Sequence, residues 1–156
     1  TKHDSIGENT SIGFRGPKYR LTTTIFVYPR SFDDIEGEFV GAARALLSVH
    51  PEGKYEGAWK TEIMIGPTIV SGNKGLFLIR EGESELASFL FVYALGTDYV
   101  LKARTTYERP LGKEAGEAMK YAVDTTNSIL SKFKLISIKS EQNSAPDAGK
   151  ADAKFE

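Results

Sequence analysis

Apolar residues recur at two spacings along this chain, and the places where one spacing gives way to the other mark its elements. From Arg20 to Tyr28 the repeat is two: Leu21, Thr23, Ile25 and Val27 fall on one side, Thr22, Thr24, Phe26 and Tyr28 on the other. Successive strand side chains point to opposite faces, so this is a strand, covered on both faces at the end where Phe26 and Tyr28 join the apolar set. Pro29 stops it. The repeat then lengthens, and Ile35, Phe39, Ala42, Ala43 and Leu46 form one stripe at helical spacing. Ser31 is the expected N-cap, with Asp33 and Asp34 in the first turn against the positive end of the helix dipole. Gly37 and Gly41 line up along this helix, and close packing on its own sheet is preferred over a surface for a partner. His50-Pro51 closes the helix, because a residue before proline disfavours the α region.

Period two returns at Ala58 to Ile65, where Trp59, Thr61, Ile63 and Ile65 oppose Lys60 and Glu62. A bend at Gly66-Pro67, a short strand at Ile69-Val70 and a turn over Ser71-Gly72-Asn73-Lys74-Gly75 are expected next. Leu76 to Glu81 is a further strand, Gly82-Glu83 a tight hairpin signal, and Ser84 to Leu95 the most apolar strand and hence a central one. Gly96-Thr97-Asp98 turns into Tyr99 to Glu108. Such short connections force antiparallel neighbours. Pro110-Leu111-Gly112 introduces a second helix, with a core stripe of Ala115, Met119, Ala122, Thr126, Ile129 and Phe133. Leu135, Ile136 and Ile138 extend it or add a last strand. The expected organisation is one α+β domain over residues 1–138, an antiparallel β-sheet flanked by two amphipathic helices. Residues 1–18 are read as an irregular N-terminal segment with a short strand at Ile12 to Arg15, and 139–156 as a disordered polar tail too poor in apolar side chains to offset ordering entropy.

Composition narrows the function more than it defines it. Of 156 residues 40% are hydrophobic, with nine Phe and seven Tyr, enough for a sizeable core. No run approaches the roughly 20 apolar residues of a membrane-spanning helix. Basic and acidic residues number 20 and 21 and are interspersed, unlike the one-sided charge of a nucleic-acid binder. Cysteine is absent, which excludes disulfides, zinc–thiolate sites and thiol chemistry. The chain begins at Thr1, and export, with a periplasmic location, is expected; a cytoplasmic location is the alternative. Asn9-Thr10-Ser11 forms a sequon of little weight.

No catalytic constellation emerges. His3, beside Asp4, reads as a surface residue, and His50 lies at a helix end without a visible partner. Gly7 to Gly16 lacks the Gly-Lys-Ser/Thr of a phosphate loop, and no serine elbow occurs. Asp33-Asp34, Glu36-Glu38 and Glu114-Glu117 read as solvated charge, whereas Glu81, Glu83 and Glu85 cluster on one hairpin and make a weak Ca²⁺ site a hypothesis. Tyr28, Arg30, Trp59, Arg104, Tyr107 and Arg109 lie on strands or strand ends and are the residue types that dominate interfaces. If they converge they form a partner-binding surface; otherwise Trp59 and the tyrosines complete the core.

The strand Leu21-Thr22-Thr23-Thr24-Ile25-Phe26-Val27-Tyr28 ahead of a first helix, and Asp98-Tyr99-Val100-Leu101-Lys102-Ala103-Arg104-Thr105-Thr106-Tyr107 running into Glu114 to Phe133, resemble the PsbP/Mog family of α/β/α sandwiches over about residues 10–138. The likeness is one of pattern and order. It implies helices on both faces of the sheet, a non-enzymatic accessory role and kinship with exported bacterial proteins, and it carries over no catalytic residue. A cystatin- or NTF-like cone, with both helices on one face, is the rival; burial of Phe26, Phe89 and Phe91 would favour the sandwich. The functional expectation is a non-catalytic accessory domain without a cofactor that docks to another protein. A carrier of small apolar ligands, its pocket lined by Phe39, Met64, Phe91 and Met119, is the alternative.

Overall fold

A computed structural model describes residues 10–65 and 67–132. The elements in chain order are β1 (Thr10–Arg15), β2 (Thr22–Pro29), α1 (Ile35–Val49), β3 (Lys54–Ile65), β4 (Thr68–Glu81), β5 (Ser84–Leu95), β6 (Tyr99–Glu108) and α2 (Glu114–Lys132). Six strands form one antiparallel sheet in the order β1-β2-β6-β5-β4-β3. After β2 the chain crosses to the far edge through α1, then returns strand by strand until β6 pairs with β2, Phe26 opposite Lys102. The class is α+β. His3, Asn9, the segment 133–138 and the tail 139–156 lie outside the described residues.

Alternation along the strands separates two cores. Phe39 and Leu46 of α1 pack with Phe77, Ile79, Leu90, Val92 and Val100. Ala118, Ala122 and Leu130 of α2 pack with Phe89, Phe91, Tyr93, Leu101 and Ala103. Neighbouring residues of one strand belong to different cores, so the two cores lie on opposite faces of the sheet. Phe89 and Phe91 are buried, and Phe26 is half-exposed.

Several local expectations change. β4 is continuous from Thr68 to Glu81, so Ser71 to Gly75 is strand and not turn. The glycines there serve close approach: a Cβ on Gly72 would collide with the Val92 carbonyl oxygen, and one on Gly75 would come 2.6 Å from Cζ of Phe39. β3 begins at Lys54, four residues earlier than expected, and a bulge between Tyr55 and Gly57 absorbs the irregularity, with Gly57 at φ 148°. The N-cap of α1 is Asp34, whose carboxylate accepts from the Gly37 amide at 2.7 Å, and not Ser31. Ser31 lies three residues ahead of that cap, and its amide, with that of Phe32, donates to the buried Glu38 carboxylate at 2.5 and 2.7 Å. Gly37 and Gly41 face Phe32, not the sheet: a Cβ on Gly37 would lie 2.9 Å from the Phe32 Cβ. In α2 the buried stripe is Ala118, Ala122, Thr126 and Leu130, rotated from the expected one so that small residues meet the sheet.

Thr126 belongs to a buried hydroxyl chain. Its Oγ1 donates to the Ala122 carbonyl at 2.8 Å and meets Thr105 Oγ1 at 2.5 Å, which in turn lies 2.8 Å from Thr23 Oγ1. A hydroxyl donates once. Because the Thr126 proton is committed to Ala122, Thr105 donates to Thr126 and Thr23 donates to Thr105. β2, β6 and α2 are thereby joined through a polar thread in an apolar core.

Candidate functional site

Helix α1 packs on β4 and β5 and reaches Val100 at the start of β6, and among the described residues no helix covers the rest of the β1-β2-β6 half of the same face. The pleat decides what is displayed there. On β2 the even-numbered residues Thr24, Phe26 and Tyr28 point to this face while Leu21, Thr23 and Ile25 enter the opposite core. On β6 the partition is the same: Leu101, Ala103, Thr105 and Tyr107 are buried, and Lys102, Arg104 and Thr106 face outward. Register sets Phe26 beside Lys102 and Thr24 beside Arg104.

Two cations therefore stand two residues apart on one strand. The Lys102 ammonium lies 4.5 Å from the centre of the Phe26 ring and 5.6 Å from that of Tyr28, within cation–π range. Arg104 Nε donates to Ser88 Oγ at 3.0 Å, and Ser88 is itself 3.0 Å from the Thr106 hydroxyl. Neither cation forms an ion pair with a carboxylate among the described residues. Burial, and then the neighbouring Arg104 charge, hold Lys102 below the usual lysine value; burial alone lowers Arg104. Between this strip and α1 runs a groove of about 410 Å³, with Phe26, Tyr28 and Lys102 on the sheet side and Phe32 and Glu38 on the helix side. Phe32 is 49% exposed and forms an apolar wall. Burial, with the Glu38 charge adding to it, pushes the Tyr28 hydroxyl up to about 12.

A second concavity lies on the opposite face. Trp59 and Lys74 on the outer strands and Met119 and Val123 on α2 enclose a cleft of about 470 Å³ with Phe89 at its base. Trp59 is 48% exposed, and the Lys74 ammonium lies 5.9 Å from its ring centre.

The six residues singled out as a partner surface do not share one face. Tyr28 and Arg104 flank the groove strip, and Trp59 belongs to the cleft on the other side. Tyr107 is 1% exposed and part of the α2-side core. Arg30 lies past the end of β2, its amide donating to the Asp98 carbonyl at 2.8 Å and its guanidinium reaching the Thr97 carbonyl at 3.5 Å. Arg109 follows the opposite end of the sheet and pairs with Glu85 at 2.7 Å. That pairing takes Glu85 out of the acidic hairpin trio, and among the described residues no three metal-ligating side chains gather. His50 Nδ1 lies 3.9 Å from Glu52 at the end of α1. The expected carrier lining is also dispersed: Phe39 and Phe91 lie in opposite cores, Met64 is 51% exposed on β3, and Met119 alone reaches the cleft.

Phe26, Phe32, Ser88, Lys102 and Thr106 are not site candidates in the sequence, and Glu38, expected as solvated charge, is buried at 3% exposure. The pair Phe26-x-Tyr28 and the pair Lys102-x-Arg104 each carry the period-two signal that puts them on one face. What was missing is the register that sets one pair beside the other. Among the described residues no helix is long and apolar enough to cross a membrane. The chain matches no family model and no characterised protein sequence.

Proposed function

We propose that this domain is a non-catalytic accessory module, exported from its cell of origin, that docks to another protein through the groove between α1 and the uncovered β1-β2-β6 half of the sheet. Its layout, with a core on each face of one antiparallel sheet, supports the resemblance to the PsbP/Mog-like α/β/α sandwich and weighs against the one-sided cone. The observation that carries the reading is the groove itself, where exposed Phe32 and half-buried Phe26 and Tyr28 border cations that have no ion pair among the described residues. Aromatic anchors beside charge are what interface hot spots are made of. Crosslinking of the full chain in its source cells tests it. One partner is expected, captured by the native chain and lost on Phe26→Ser or Phe32→Ser with the thermal melt unchanged; equal capture by these variants would refute the docking surface.

The Trp59 cleft favours a second reading, a small apolar ligand held between sheet and α2. Trp59 is the one tryptophan of the chain, so its fluorescence reports directly on the cleft. An apolar ligand that shifts this emission, and no longer does so after Val123→Lys, supports the carrier; unchanged emission with every ligand offered removes it.

A further inference from the structure

We infer that the occupant of this surface is an extended acidic segment of the partner, its carboxylates two residues apart and seated against Lys102 and Arg104. The inference rests on the docking reading above and adds the chemistry of what docks. Alternate residues of a strand are about 6.6 Å apart, and any other extended chain repeats at the same distance. A segment lying along β6 with Glu or Asp at every second position therefore meets both cations in step.

Charge argues for the sign. Lys102 and Arg104 are partly buried neighbours of like charge: burial disfavours the ionised form of both, and the Arg104 charge adds to that cost at Lys102. The carboxylates bordering the strip are engaged elsewhere. Glu38 accepts two backbone amides, and Glu108 accepts from Ser84 at 3.0 Å with Arg20 at 3.8 Å. Arg15, exposed on β1 and on the same face, adds a third positive group without an ion pair among the described residues. An incoming carboxylate relieves this repulsion and finds hydroxyls at hand, since Thr24 stands opposite Arg104 and Thr106 lies two residues along the same strand.

Shape argues for a peptide. The strip is an open sheet face beside a groove, with Phe26 and Tyr28 beside Lys102, where they can pack against the methylene stems of the incoming acidic side chains. A compact anion is better held in a closed cradle of donors. A nucleic-acid backbone asks for a longer run of cations than three, in a chain whose net charge is −1.

The test uses the full chain and a fluorescent peptide alternating Glu and Thr, with a Gln-for-Glu version as control, read by anisotropy. The Glu peptide is expected to bind and the Gln version to bind at least roughly tenfold more weakly, as for lost charge-assisted bonds. Lys102→Gln and Arg104→Gln should each weaken the Glu peptide about tenfold, while Lys102→Arg and Arg104→Lys keep most of the affinity. No binding of the Glu peptide, equal binding of the two peptides, or indifference to both Gln variants overturns the inference. So does displacement by inorganic phosphate or by a single-stranded oligonucleotide at concentrations matching the peptide, because the site would then read a bare anion or a polyanion. If the crosslinked partner is lost on Phe26→Ser yet kept by both Gln variants, the docking surface stands and the acidic character of its occupant falls.

Discussion

Thr105 sits where a hydrophobic pattern gives no hint of polarity, at 0% exposure between Thr23 and Thr126. The direction of that hydroxyl chain fixes which substitutions hurt. Thr105→Val removes the acceptor of Thr23 and leaves a buried donor unmade, a loss of about 1–3 kcal/mol. Thr105→Ser keeps both bonds and is expected to lose less. Urea denaturation at constant slope measures the difference, and equal losses for the two variants would show that the hydroxyl chain contributes nothing. Lys102 and Arg104 show the other side of the same strand: their residue types were visible, but their lack of counter-charges emerges only when the strands are registered.

At the scale of elements, period and punctuation carried most of the architecture. The strand-helix order, both amphipathic helices and the Gly82-Glu83 and Gly96 connections all form as the spacing predicts. Ser71 to Gly75 is where local pattern misleads. Five small and polar residues read as a turn, yet Gly72 and Gly75 are demanded by neighbours remote in sequence, Val92 on β5 and Phe39 on α1. A glycine that admits another chain and a glycine that reverses its own look alike in one dimension. Gly75→Ala is expected to destabilise by about 1–3 kcal/mol through overpacking on Phe39, and Phe39→Leu in the same chain should recover part of it. Gly72→Ala should cost more, because its obstacle is backbone that no side-chain change relieves. Strictly additive effects of Gly75→Ala and Phe39→Leu would contradict the contact. Capping is read equally locally: the helix starts later than Ser31 suggests, Asp34 caps it, and Ser31 is tied to it through its amide by Glu38.

Across the whole molecule, tyrosines buried on both faces tie stability to pH. Burial pushes Tyr28, Tyr93 and Tyr107 each up to about 12 from an ordinary 10.0. Above pH 10 the unfolded chain releases these protons while the native one retains them, so stability is full below that point and declines as pH rises toward 12. The urea midpoint should be flat through neutral pH and fall across that window, with a shallower fall in a Tyr93→Phe, Tyr107→Phe variant. A midpoint insensitive to alkali in the native chain would contradict the burial of these hydroxyls. The six-stranded order was out of reach of local pattern, because β2 closes on β6 only after the chain has crossed to the far edge and returned. That closure also dispersed the six aromatic and cationic residues that sequence had grouped.

The two-sidedness of β6 has a consequence for change over generations. Leu101, Ala103, Thr105 and Tyr107 answer to the interior, at exposures of 0 to 1%, whereas Lys102, Arg104 and Thr106 answer to whatever lies outside. Substitutions outside the fully buried core generally cost less than those within it. Selection can therefore rewrite the alternate letters of this strand, and those of Thr24 and Phe26 beside it, without reopening the question of how the chain folds. One scaffold can pass from partner to partner by that route, and a library randomised at those five positions is the laboratory form of the same freedom.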